Sequence, residues 1–220
     1  YNLVSKELVV ESQDELDSLM ILSALLGKVA AGNKDHIQLQ KEISKISGGI
    51  SASNHFFYDK NEELKGKMTL SAKFLPENTI DTTNLIFEIF NKTNFDLHER
   101  IKELMFQNFM GFQQSIVENG HRFAMLGASS SHNQLSYLQE SMGGLSAISK
   151  FAPFVTNQDD LMKKEIEKVE TMYKKLESMK SELLFVSNEK LTKDQINAIR
   201  EIDFEKDGNS KVNVNFTKTF

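Results

Sequence analysis

The chain has 220 residues, 40% of them hydrophobic, a net charge of −5 and no cysteine. Its length suits one large domain or two small ones, and a chain of this size buries roughly 70% of its extended surface on folding. The acidic balance argues against nucleic-acid or anionic-membrane partners, which need a basic face. The missing cysteines exclude a disulfide framework and thiolate chemistry, and fit a reducing compartment such as a bacterial cytoplasm or an organelle interior.

No apolar run reaches the ~18 residues of a membrane span; the longest, 19–31, is interrupted by Ser23, Gly27 and Lys28, so a soluble chain is expected. With Tyr1 first and no signal or transit pattern, the sequence is expected to be a processed or excised piece of a longer parent.

Residues 3–11 are rich in β-branched side chains and predict a strand. Ser12 and Glu15 form a capping box that opens a helix, apolar around much of its circumference and therefore buried (Leu16, Leu19, Leu22, Leu25). Gly32-Asn33 breaks it. A second helix from Asp35 carries Ile37, Ile43 and Ile46 and stops at Gly48-Gly49. Two strands follow at 50–58 and 66–75, the second alternating Met68, Leu70, Ala72 and Phe74 with polar residues. Helices are predicted over 82–91 and from Asp96 to Gly120, the latter with the stripe Leu97, Ile101, Leu104, Met105, Phe109, Phe112 and Ile116.

Shorter helical pieces run to Phe151, with Ser129-Ser130-Ser131 as a break supplying N-capping hydroxyls. From 158 to 181 the spacing of Met162, Ile166, Val169, Tyr173 and Leu176 is a heptad seam of about three heptads. The stretch 158–190 holds eight acids and seven lysines, a solvated outer face. So short a seam is marginal as an independent coiled coil, which favours packing on the chain's own sheet. A strand at 183–186 and a helix at 191–204, capped by Thr192 and Gln195, complete the order. We expect a domain over 1–206 and a linker over 207–220 with a strand at 212–216. The fold class is α+β: a largely antiparallel sheet with helices packed on one face.

Catalytic constellations are missing from the sequence. A mononuclear zinc peptidase pairs two histidines on one helix beside a glutamate, as in H-x-x-E-H. The closest histidines here, His121 and His132, are eleven positions apart. Ser187 to Lys190 fits S-x-x-K by count, but its partner motifs are absent. Gly48-Gly49 as an anion-binding nest competes with the plainer reading of a helix stop feeding a strand.

Two motifs in sequence order carry a resemblance: Ser47-Gly48-Gly49-Ile50-Ser51-Ala52-Ser53, and Gly120-His121-Arg122-Phe123-Ala124 ahead of Gly144-Leu145-Ser146. Together with the Leu-rich helix, Lys34-Asp35 and the charged helix start at 95–103, they resemble the third, peptidase-associated domain of presequence-protease-like zinc metallopeptidases of the insulinase/pitrilysin class. The resemblance implies a four-domain enzyme closing around a chamber that admits unfolded peptides. The zinc and the catalytic residues lie in its other domains.

It therefore implies a non-catalytic wall and scaffold, with no catalytic or metal-binding residue and no cofactor in this chain, and zinc in the parent. The implied partners are the parent's other domains and its peptide substrates. The alternative is a free-standing adaptor dimerising through the 158–181 helix. Gly48, Gly49, Gly120, His121 and Arg122 are expected to be structural. Gly120 is expected to end the long helix with φ > 0, and His121 and Arg122 to bond to carbonyls or carboxylates joining two segments.

Overall fold

The computed structural model describes residues 1–156, 159–179, 181–187 and 190–202. The expected linker at 207–220, its strand at 212–216, the end of the last helix and two residues of the S-x-x-K match lie outside them.

Four strands form one antiparallel sheet: β1 (Asn2–Leu8), β2 (Ile50–Tyr58), β3 (Leu64–Ala72) and β4 (Ser181–Phe185), in the order β2-β3-β1-β4. Register decides which face is buried. Val4 lies opposite both Leu70 and Leu183, so the even residues of β1, with Met68, Leu70, Ala72, Leu183 and Phe185, face the helices. The opposite face is a row of short polar residues: Ser51 and Ser53 on β2, Thr69 and Ser71 on β3, and Ser5 on β1. The chain is α+β as the periodicity predicts.

Helix α1 (Gln13–Leu25) runs through the core with Leu16, Leu19, Ile21, Leu22 and Leu25 buried. Only half of its capping box forms: Ser12 Oγ accepts the Glu15 N–H, whereas the Glu15 carboxylate takes the N–H of Glu11. In α2 (His36–Ile46) the box is complete, with Asp35 as cap and Gln38 reaching back. Its buried stripe is Leu39, Ile43 and Ile46, and the expected Ile37 is exposed. Two residues before Leu39, Ile37 sits about 200° round the helix from it.

Helix α3 (Thr79–Lys92) starts earlier than expected because Pro76–Asn78 forms a 3₁₀ turn leading directly into it. Next come α4 (His98–Glu118), α5 (Gly120–Ser129), α6 (Gln134–Gly143), a 3₁₀ stretch Leu145–Phe151, and the single turn α7 (Ala152–Val155). In α4 the stripe is buried at Ile101, Leu104 and Met105 and partly exposed beyond, while Leu97 lies at the surface. The serine run caps nothing: Ser129 and Ser130 Oγ donate back to Leu126 and Gly127 carbonyls, and Asn133 caps α6.

All five seam residues of α8 (Asp159–Glu177) are buried within the chain. They pack chiefly against α1 rather than the sheet, flanked by Lys175 with Glu11 and Glu15 and by Lys168 with Asp14. Burial opposes ionisation of Glu15, but the Lys175 bond outweighs it and lowers the Glu15 pKa. The heptad spacing thus reports a helix laid along another helix of the same chain. Strand β4 then returns to pair with β1, and α9 (Lys193–Glu201), capped by Thr192 and Gln195, packs on α3.

Candidate functional site

At Gly48-Gly49 every available donor is used internally. Ser47 ends α2, the Gly48 N–H donates to Lys73 O at 2.7 Å, and the Gly49 N–H donates to Ser47 Oγ at 3.2 Å. Gly49 has φ +118°, a conformation that side chains rarely adopt. With both N–H groups committed, the anion-nest reading loses its donors, and the pair turns α2 into β2.

The Gly120 corner differs from its expected form. The break between α4 and α5 lies at Asn119 (φ −126°, ψ 36°), whose N–H closes α4 on Ser115 O and whose carbonyl accepts from Arg122 N, opening α5. Gly120 is the first residue of α5, is not among the residues with positive φ, and a Cβ there would meet nothing within 4 Å. His121 and Arg122 are both exposed, and neither side chain makes a hydrogen bond or ion pair among the described residues. They therefore do not join the two segments. The physical reason is direction: at this helix start the inward position belongs to Phe123, which is 3% exposed and meets Phe112 edge-on at 5.5 Å. Phe112 and Phe109 both contact Phe151 at 5.8 Å, so an aromatic cluster fixes the corner. Its signal in the sequence is the single phenylalanine inside the motif.

Arg122 instead lines a cleft of about 450 Å³ between α1, β2, α5 and α6. Its guanidinium lies 5.8 Å from the Phe123 ring. Met20, Phe56, Leu126, Leu138 and Met142 provide apolar wall, and Asn54 and His55 polar edge. Asn54 Nδ2 donates to Leu19 O at 3.0 Å, and His55 Nε2 lies 2.8 Å from Ser53 Oγ. Among the described residues no carboxylate bonds the other nitrogen of His55, so Ser53 and His55 lack the orienting acid of a nucleophilic triad. Nor do three His, Asp or Glu side chains among the described residues converge into a group that could hold a metal ion. The residues present do not fit a zinc site. No helix among them is long and apolar enough to cross a membrane.

A further face stands out along α4 and α5. Phe106, Met110 and Val117 recur on one side of α4, Val117 being 86% exposed, and Met125 of α5 is 69% exposed. Scattered surface apolar residues are ordinary, but several along one helical stripe mark a contact surface.

Comparison with known proteins places these features. Over 144 residues the chain is 28% identical to the mitochondrial presequence protease of Danio rerio, a match covering 64% of this chain and 14% of that protein. Over 135 residues it is 29% identical to Protein HypA of Clostridium perfringens, covering 60% of this chain and 14% of that protein. The chain thus matches about one seventh of the length of these curated relatives. Among solved structures, a conserved protein from Enterococcus faecalis V583 aligns with a TM-score of 0.48 at 13% identity, over 76% of this chain and 40% of that one. The family model for the peptidase-associated domain of insulinase-type peptidases matches residues 6–154, well over half of the chain, and the chain belongs to that family.

Proposed function

We propose that this chain is a non-catalytic domain of a zinc metalloendopeptidase that degrades short unfolded peptides, forming part of its chamber wall and a scaffold between its domains. The observation that carries this reading is the family match over residues 6–154, joined by relatives named as presequence proteases of which the matched segment is 14%. Two physical features support it. The hydroxyl-rich sheet face has short side chains and, among the described residues, one cross-strand ion pair, Lys67 with Glu182, as suits a wall facing extended peptides rather than a packed core. The stripe Phe106, Met110 and Val117 offers apolar surface for a neighbouring domain to cover.

In this reading the chain contributes no nucleophile, base or metal ligand. Zinc and the acid–base residues come from elsewhere in the parent, and the peptide is held in a closed space that this domain helps bound. The adaptor alternative loses its device, since the 159–177 seam is buried against α1. The coding region tests the proposal. We expect an open reading frame several times this length with H-x-x-E-H upstream of these residues; a complete frame ending at both borders of this chain would contradict it.

A further inference from the structure

We propose that the cleft between α1, β2, α5 and α6 binds the C-terminal residue of an extended peptide, with the carboxylate on Arg122 and the apolar side chain against Met20, Leu126 and Met142.

Charge is the first argument. Arg122 is the one formally charged side chain among the lining residues, and no acidic group among the described residues pairs with it. Glu118, one helical turn earlier, gives its carboxylate to Gln114 at 2.7 Å, and Glu140 accepts the Ser146 N–H at 3.1 Å. A guanidinium beside apolar walls matches a carboxylate in a bidentate fork. It also stands in the first turn of α5, where no side chain caps the helix, so the helix dipole adds to its pull on an anion. A single cation with apolar surroundings suits a monocarboxylate better than a phosphate, which gathers several cations or backbone donors.

Shape is the second argument. About 450 Å³ lies within the range of roughly 300–1,000 Å³ typical of small-ligand sites. Leu126 sits one turn beyond Arg122 on the same face of α5, so the anion site and the apolar wall are rigidly linked.

The third argument favours a peptide over a small free acid. Residues 54–56 of β2 line the same cleft, and β2 is an edge strand whose outer flank pairs with no strand among the described residues. Its free backbone groups lie at the cleft border for the amides that precede a C-terminal residue.

This inference goes beyond the proposed parent and does not rest on it, because the chain alone should bind. The test titrates the 220-residue chain into an N-terminally labelled unstructured hexapeptide ending in free leucine, read by fluorescence anisotropy. Its C-amidated twin and the variant Arg122→Gln run beside it. We expect saturable binding of the free acid, at least tenfold weaker binding of the amide, and a tenfold loss in Arg122→Gln that abolishes the acid–amide difference. Because Arg122 is exposed and makes no hydrogen bond among the described residues, Arg122→Gln should melt with the unmodified chain. Equal affinity for acid and amide overturns the proposal, as does an unchanged Arg122→Gln or no saturation at millimolar peptide. N-acetyl-leucine competing as strongly as the full peptide overturns the peptide assignment.

Discussion

Two corners of this molecule pair a glycine with nearby charged residues, and they do opposite things. At the first, Gly32 has φ +59° and its N–H donates to Lys92 O at 2.8 Å, while Asn94 N donates to Ala30 O at 2.9 Å. Lys34 reaches Glu88 at 2.5 Å and Glu42 at 3.5 Å, stitching the end of α1 to α2 and α3. At the second, Gly120 has an ordinary conformation, and His121 and Arg122 are exposed without partners among the described residues. The first corner holds the fold together. The second leaves a cation unspent, and that makes it available to a ligand.

The largest expected effect is at Gly32. A Cβ there would stand 2.1 Å from Glu88 Oε1, and the backbone conformation is strained for any side chain. Gly32→Ala should cost about 2 kcal/mol or more, read as a lower urea midpoint with an unchanged slope. A midpoint shift no larger than that of Gly120→Ala would erase the contrast between the corners.

Tyr173 sharpens the picture on the same side of the molecule. Its hydroxyl accepts the Thr93 N–H at 2.8 Å, just past α3, and its ring meets Phe95 edge-on at 5.3 Å. Burial pushes its pKa up to about 12, partly offset by the Thr93 bond. A folded pKa above the ordinary value of about 10 means that the native state holds this proton more tightly. Its contribution, on the order of 2 kcal/mol, is complete below pH ~10 and lost as pH rises through ~12. Tyr173→Phe should cost about 1–3 kcal/mol at neutral pH by orphaning the buried N–H. It should also flatten the alkaline loss, and parallel slopes for both proteins between about pH 9 and 12 would refute this.

Lys34 comes next. Burial lowers its pKa, but the Glu88 bond and the charges of Glu88 and Glu42 outweigh that and raise it. Its share of stability is therefore present below the ordinary lysine range and lost above it. Lys34→Ala should cost about 1 kcal/mol, and a double-mutant cycle with Glu88→Gln should show coupling above about 0.5 kcal/mol. Smallest are Gly120→Ala and His121→Ala, each within about 0.5 kcal/mol, the first slightly stabilising through helix propensity. A large melting loss from His121→Ala would show a tie at this corner.

Local signals are well written in the sequence. Asp35 with Gln38 and Thr192 with Gln195 cap as the spacing predicts, because each box closes within four residues. The element order and the alternation of β3 are legible for the same reason, periodicity being a local property. What lies beyond reach is pairing at a distance. The seam of α8 announces an apolar stripe but not that α1, some 150 positions earlier, covers it. Glu88 is 54 positions from Lys34, and nothing local distinguishes that lysine from Arg122, which finds no acid among the described residues. Phe123 stays hidden because one aromatic in a motif says nothing of its partner Phe112 or of the Phe151 ring beyond it.

The most direct test of the central claim is zinc content and turnover of the isolated chain. After dialysis, metal analysis should find no stoichiometric zinc, and a fluorogenic unstructured peptide should remain uncleaved. One tightly held zinc per chain, with cleavage abolished by a chelator, would contradict the account and make this domain a peptidase in its own right.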